Sequence, residues 1–286
     1  VEKSMSFLDE YKRQPKLYID LPSSGEFYSD GVFEDNQFVQ IPVFAMSAAD
    51  EIMTKTPDAL FSGKSVVNIL KSCIPLLNDP WQLIKTDLEY LLTAIRIASI
   101  GNTTDIASSC NKCGETNVVE VNLQSVLTYI DNAPYESSFQ YEDLTINIRP
   151  ITFKQMSDLG IALYQKQKTL YQLQVAEMSQ DQRVEQVATL SDEIIKMTTR
   201  SLIKYIHSVS NSTSTEQNNE TIRKFIEDND LKISKAFADE ITKFVDLITY
   251  SAQTVRCAGE VDENTLCDNE YKISYNSDYS SFFVIR

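Results

Sequence analysis

The chain is poor in the residues on which most enzyme active sites depend. Its 286 residues hold one histidine (His207), one tryptophan (Trp81) and seven glycines. A single imidazole excludes the HExxH zinc helix, a Ser-His-Asp triad with an imidazole to spare and every multi-histidine metal site. The seven glycines are scattered, so neither GxGxxG nor GxxxxGK occurs and no backbone cradle for phosphate is encoded. No run of 18 apolar residues is present, which excludes a transmembrane helix of ordinary length, and Val1 to Tyr11 lacks the basic-then-apolar pattern of a secretory signal. Basic residues are outnumbered: 26 Lys and Arg against 41 Asp and Glu give a net charge of −15, with no block of five or six basic residues. Phosphate backbones would repel such a surface, so neither nucleic acid nor membrane is an expected partner.

What remains is an ordinary globular composition, 42% hydrophobic and 23% charged, long enough for one large domain or two smaller ones. Lys16–Leu21 and Phe38–Val43 read as two strands of a hairpin with a long loop, the first closed by the turn residues Pro22 and Gly25. Ser47 is a helix N-cap with Asp50 and Glu51 in the first turn. Lys64–Leu77 has helical spacing, and Asp79-Pro80 opens a second, strongly patterned helix with Ile84, Leu88, Leu91, Leu92 and Ile95 on one face, ending at Gly101. Asn117–Val121 is β-prone, Gln124–Ile130 a short helix, and Phe139–Arg149 alternates as one strand. Two long helices, Thr152–Ala176 and Gln180–Ser208, then lead to a polar link at Val209–Asn219. Two shorter helices (Thr221–Asp228, Ser234–Thr249) and a β-like tail from Glu270 to Ile285 follow. His207 then sits near a helix C-terminus, as a partner for the helix dipole.

The expected fold class is therefore α+β and mainly α-helical, with long helices, a small hairpin and a zinc-ribbon-like β element joining residues near 110–121 to the C-terminus. The corresponding divisions are an arm and hairpin (1–45), a helical segment carrying the first cysteine knuckle (46–131), a helical excursion (132–251) and a C-terminal β element (252–286).

The sharpest chemical signal is Cys110-Asn111-Lys112-Cys113-Gly114. Two cysteines two residues apart can turn both thiolates toward one tetrahedral zinc ion, and a following glycine lets the backbone fold back over the sulfurs. A knuckle supplies two ligands. Cys257, which precedes Ala258-Gly259, and Cys267, which leads into the β-like Tyr271–Tyr275, supply the second pair if the Glu260–Leu266 segment between them bulges away. Cys73 lies on the apolar face of a helix and reads as a buried core thiol. Disulfide pairing, free thiols and a redox-active CxxC are the competing readings. A redox CxxC opens a helix in a βαβ unit, whereas this one opens a strand. A site with four thiolates has no open position and is structural.

Several segments in this order resemble the baseplate hub assembly proteins of T-even-like contractile-tailed bacteriophages. Leu21-Pro22-Ser23-Ser24-Gly25-Glu26-Phe27-Tyr28 is similar to the family's opening motif, Ile41 to Glu51 to its strand and helix start, and Thr56–Gly63 to its Pro-containing turn. Asp87–Ile97 resembles its central helix, Cys110–Gly114 its knuckle, and Tyr271–Tyr275 with Tyr279–Phe283 its closing segment. The sequence departs from the family in its second cysteine pair, which is close-spaced there and ten residues apart here. The resemblance implies a virion or virion-assembly protein made in the host cytoplasm and acting at the tail baseplate hub. It would act through contacts with other tail proteins, such as hub proteins or the tape-measure protein, and without catalysis. An assembly chaperone that leaves the finished tail is the alternative, and a CxxC thiol oxidoreductase a more distant one.

Overall fold

A computed structural model describes residue 7 and residues 11–54, 63–175, 179–262 and 265–274. Residues 56–62 of the quoted turn motif, Ala176 at the end of the first long helix, and the tail from residue 275, with its Tyr279–Phe283 end, lie outside the described residues. Two compact units are present: Val1–Pro80 with Asp87–Asp131 and Ser251–Arg286, and Trp81–Thr86 with Asn132–Tyr250.

The first unit begins with a hairpin, β1 (Pro15–Ile19) against β2 (Ile41–Phe44), with Ile19 opposite Ile41 and Leu17 opposite Val43. Ile41 and Val43 are fully buried. The helix α1 (Ala48–Thr54) is capped reciprocally: the Ser47 amide donates to Asp50 Oδ2 at 2.7 Å, and the Asp50 amide donates to Ser47 Oγ at 3.2 Å. It packs on α2 (Lys64–Cys73), whose face of Val66, Ile69, Leu70 and Cys73 has no exposure. Burial and the nearby Asp50 carboxylate push the Cys73 thiol up to about 12, despite the opposing Arg13, as befits a core group. The strongly patterned helix is α3 (Lys85–Ser99). Pro80–Gln82 ahead of it forms a separate 3-10 turn rather than its first turn. A long hairpin, β3 (Thr103–Ser109) and β4 (Thr116–Asn122), and a short helix, α4 (Leu123–Asp131), follow. The unit closes with β9 (Ser251–Arg256), β10 (Glu260–Asp262), β11 (Thr265–Leu266) and β12 (Glu270–Ser274), in which β9 pairs β12 and β10 pairs β11.

The second unit is a four-stranded antiparallel sheet in the order β5 (Ser137–Tyr141), β6 (Leu144–Ile148), β7 (Ile206–Ser210) and β8 (Thr215–Glu216). Neighbouring strands β6 and β7 are connected through a pair of long helices, α5 (Phe153–Val175) and α6 (Gln180–Ile203), which pack on each other. One face of the sheet is covered by α7 (Asn219–Asp228) and α8 (Leu231–Leu247). Ile146, Ile148 and Ile206 meet Ile222, Ile226, Phe237, Ile241 and Phe244 in one cluster, with Phe139 edge-on to Phe237 at 5.2 Å. Asn218 caps α7 by accepting from the Glu220 and Thr221 amides.

These elements correct the expected fold class. The chain is 48% helix and 22% strand, a mixed architecture rather than a mainly helical one. The added strands have identifiable origins. Phe139–Arg149 is a hairpin and not a single strand, because Glu142 takes a positive φ of 53° and reverses the chain without glycine. The second long helix ends at Ile203, and Ile206–Ser210 leaves it to pair with β6. His207 therefore lies on a strand and not at a helix end. The polar link contributes β8, and its turn is closed by Asn211 Oδ1, which accepts from the Thr213 and Ser214 amides.

Candidate metal centre

The loop between β3 and β4 is the first knuckle. The Gly114 amide donates to the Cys110 carbonyl at 2.9 Å and the Cys110 amide to the Glu115 carbonyl at 2.8 Å, a tight return that Gly114 permits with φ +79°. The return leaves the Lys112 amide aimed at Cys110 Sγ, 3.4 Å away. The second knuckle repeats the device: two residues after Cys257, the Gly259 amide donates to Cys257 Sγ at 3.3 Å.

Cys267 reaches this knuckle across ten residues because the intervening segment folds on itself. Glu260 pairs with Leu266 in the β10–β11 hairpin, and the Cys267 amide donates to the Gly259 carbonyl at 2.7 Å. The wide spacing is thus closed at its base, and the ten-residue gap is a hairpin inserted between Cys257 and Cys267.

The four sulfurs all lie within 4.8 Å of one another. Cys113 Sγ is 3.5 Å from Cys257 Sγ, and Cys110 Sγ is 3.8 Å from Cys267 Sγ. Four thiolates at the zinc–sulfur distance of about 2.3 Å, arranged tetrahedrally, stand about 3.8 Å apart, so the sulfur spacing fits the ion. Disulfide bonds would require about 2.05 Å, and all four are free thiols. Cys110, Cys257 and Cys267 are buried and Cys113 half-buried. Cys73, the fifth cysteine, is outside the group. Among the described residues this is the one set of three or more Cys, His, Asp or Glu side chains placed to share an ion.

Sulfur electrostatics agree with this geometry. Burial opposes ionisation of Cys110, yet the amides of Cys113 and Lys112 and the Asn269 side chain outweigh it and hold the thiol down at about 6. At Cys113 the Glu115 amide favours the thiolate, but burial and the sulfurs of Cys257, Cys267 and Cys110 prevail and push it up to about 12. One negative sulfur excludes the next. Bringing all four to the thiolate state requires a cation among them.

Supporting residues that sequence reasoning missed surround the sulfurs. Asn117 donates to Cys257 Sγ at 3.4 Å and to the Tyr271 hydroxyl at 3.0 Å, while its Oδ1 accepts from the Ala258 amide at 3.1 Å. Asn269 donates to Cys110 Sγ at 3.5 Å and to Asn111 Oδ1 at 2.8 Å, and Tyr271 donates to the Ser108 carbonyl. These bonds stitch the two knuckles together. The only sequence signal for them is position, four residues after Cys113 and two after Cys267. Gly259 has a packing reason as well: a Cβ there would stand 2.5 Å from Glu115 Cβ and 3.1 Å from Cys113 Sγ.

A family model described as T4 bacteriophage base plate protein matches residues 34–273, a span that contains all four clustered cysteines. The chain belongs to that family. It is accordingly a structural protein of a phage baseplate, whose partners are other baseplate proteins. No curated protein and no solved structure shows significant similarity to this baseplate chain. Among the described residues no helix is long and apolar enough to cross a membrane.

Proposed function

We propose that this chain is a structural and assembly protein of the hub of a contractile-tail baseplate, acting by protein–protein contacts. Cys110, Cys113, Cys257 and Cys267 hold a structural zinc ion. The observation that carries the metal assignment is the convergence of four sulfurs from two knuckles at tetrahedral spacing. The baseplate setting rests on the family match. A closed four-thiolate site supplies no open coordination position, so zinc here fixes shape and does no chemistry. All four sulfurs converge on one point with no disulfide among them, which favours a shared ion over a CxxC redox pair.

The hub placement and the metal are tested separately. Purified chain should carry one zinc per molecule by elemental analysis, and Cys113→Ser should lose it. Mass spectrometry of purified tails should find the chain at a stoichiometric level. Its absence from finished tails, with presence in baseplate intermediates, would replace the component by a departing assembly chaperone.

A further inference from the structure

The four-stranded sheet of the second unit treats its two edges differently. One edge, β8, is only two residues long and carries Glu216. The other, β5, runs for five residues, Ser137-Ser138-Phe139-Gln140-Tyr141, with no charge and no proline. Among the described residues it pairs with β6 alone, in a ladder that is regular from Ser137–Ile148 to Tyr141–Leu144. Exposed sheet edges are ordinarily blunted by charge, proline, bulges or brevity, and β5 has none of these. The longer regular ladder, β3–β4, carries Asp105 and Glu120 within its strands. The hydrogen-bonding sense of β5 follows from its turn. Two residues, Glu142 and Asp143, separate Tyr141 from Leu144, which form the bonded pair that closes such a hairpin. Bonded pairs alternate along the ladder, so Phe139 and Ser137 also bond to β6, while the amides and carbonyls of Ser138 and Gln140 point outward. The Gln140 side chain donates to Thr145 Oγ1 at 2.8 Å, as the closer approach within a non-bonded pair allows. Phe139 and Tyr141 stand edge-on to Phe237 at 5.2 and 5.7 Å, which holds the strand in place.

Beside this edge, β5 and α8 line a recess of about 360 Å³ with Phe139, Tyr141, Ala236, Asp239 and Lys243. A strand laid along β5 would send alternate side chains toward that recess. We propose that the β5 edge receives an extended, uncharged segment of another baseplate protein as a fifth strand of the sheet, with Lys or Arg flanking that segment. The outward amides and carbonyls of Ser138 and Gln140 are matched by an extended backbone, and the two aromatic rings of the recess suit an apolar side chain. Charge selects a different protein over a second copy. Antiparallel self-pairing through Ser138 and Gln140 would centre on Phe139 and set Glu136 against Glu142 of the second copy, between two chains that each carry −15. Glu142 and Asp143 in the turn, with Asp239 beside the recess, complement basic flanks instead. The proposal rests on the reading that the chain acts by contacts in a baseplate; it depends on neither the zinc nor the hub placement.

The test places the photo-cross-linker p-benzoylphenylalanine at position 138 or 140 of the full chain in infected cells, so that assembly intermediates are sampled along with finished tails. Mass spectrometry of the linked peptides should map both positions to one segment of another baseplate protein, at residues two apart. Links three or four residues apart, the spacing of a helix, would overturn the proposal, as would links to a second copy of this chain or no links at all. A chain missing from tails and intermediates alike would refute the baseplate reading itself, before any link is scored. A second arm separates backbone from side chain. Ser138→Ala keeps the outward amide and should assemble normally. Ser138→Pro removes that amide, a change that edge strands tolerate, and should lower the yield of baseplates at least about tenfold at unchanged melting temperature. Normal assembly with the proline variant would overturn the proposal; if proline lowers the melting temperature, the map of links decides alone.

Discussion

At the residue scale, single polar side chains tie together positions far apart in the sequence. Asp87 is fully buried, and its carboxylate accepts from Ser23 Oγ at 2.5 Å, the Tyr28 hydroxyl at 2.6 Å and the Ser23 amide at 3.3 Å. The Leu21–Tyr28 motif is therefore a loop folded onto one carboxylate. Its turn was legible from Pro22 and Gly25, but the acceptor, 64 residues on, carried no local signal. Asp87→Ala would strand the buried Ser23 donors and the Tyr28 hydroxyl, and should cost about 3 kcal/mol, read as a lowered urea midpoint. Ser23→Ala removes the shorter contact and the hydroxyl that accepts from the Gly25 amide at 3.3 Å, but keeps the other two bonds to Asp87, and should cost less, about 2 kcal/mol. A second residue acts through pH. Burial and Arg149 hold the His207 imidazole below its ordinary value of 6.5, with Glu136 opposing. The unfolded chain then binds the proton more readily than the folded one. Stability contributed by neutral His207 is complete above 6.5 and is lost as pH falls from there through the folded value. Denaturant midpoints at about pH 7.5 and about pH 5.5 should differ by less in His207→Gln than in the parent chain.

At the element scale, what could be read depended on whether a boundary used glycine or proline. The β1–β2 hairpin, α2, the apolar face of α3 and the α7 and α8 pair follow from spacing and turn residues. The β5–β6 turn uses Glu142 with a positive φ, and α6 gives way to β7 through Lys204 and Tyr205 with no breaker, so neither boundary could be placed from composition. The first knuckle was visible in the same way, since Cys110-x-x-Cys113-Gly114 is local. The supports Asn117, Asn269 and Tyr271 were not, because an asparagine beside a cysteine has no spacing rule that distinguishes it from a surface residue. Two outcomes separate ligand geometry from its surroundings. Replacing residues 261–265 by Asn-Gly would shorten the β10–β11 hairpin while keeping Glu260 opposite Leu266, and should leave zinc content unchanged. Asn117→Leu leaves every ligand in place but removes the donor to Cys257 Sγ and the acceptor for Ala258, and should weaken zinc about 10–100-fold in a chelator competition.

At the scale of the whole molecule, the cysteine cluster closes very long loops: Cys113 and Cys257 are 144 residues apart, and Cys110 and Cys267 are 157 apart. Between them the chain leaves the first unit, builds the entire four-stranded sheet with its four helices, and returns. Among the described residues around β9 and β12, Cys257 and Cys267 are buried together with Cys110, and Cys113 and Tyr271 pack against them. Zinc binding would accordingly be folding free energy for this segment. The sheet unit contains no cysteine and keeps its own cluster of Ile146, Ile148, Phe237 and Phe244, which metal does not reach. Removing zinc with a strong chelator should therefore act unequally. Hydrogen exchange followed by mass spectrometry should show lost protection in β9, β12 and the facing ends of β3 and β4, with protection in β5–β7 and α8 retained. The same pattern should appear in Cys113→Ser without chelator. Uniform loss over both units would mean that the ion supports the whole chain as one cooperative body, and no loss anywhere would mean that the four thiols pack without it.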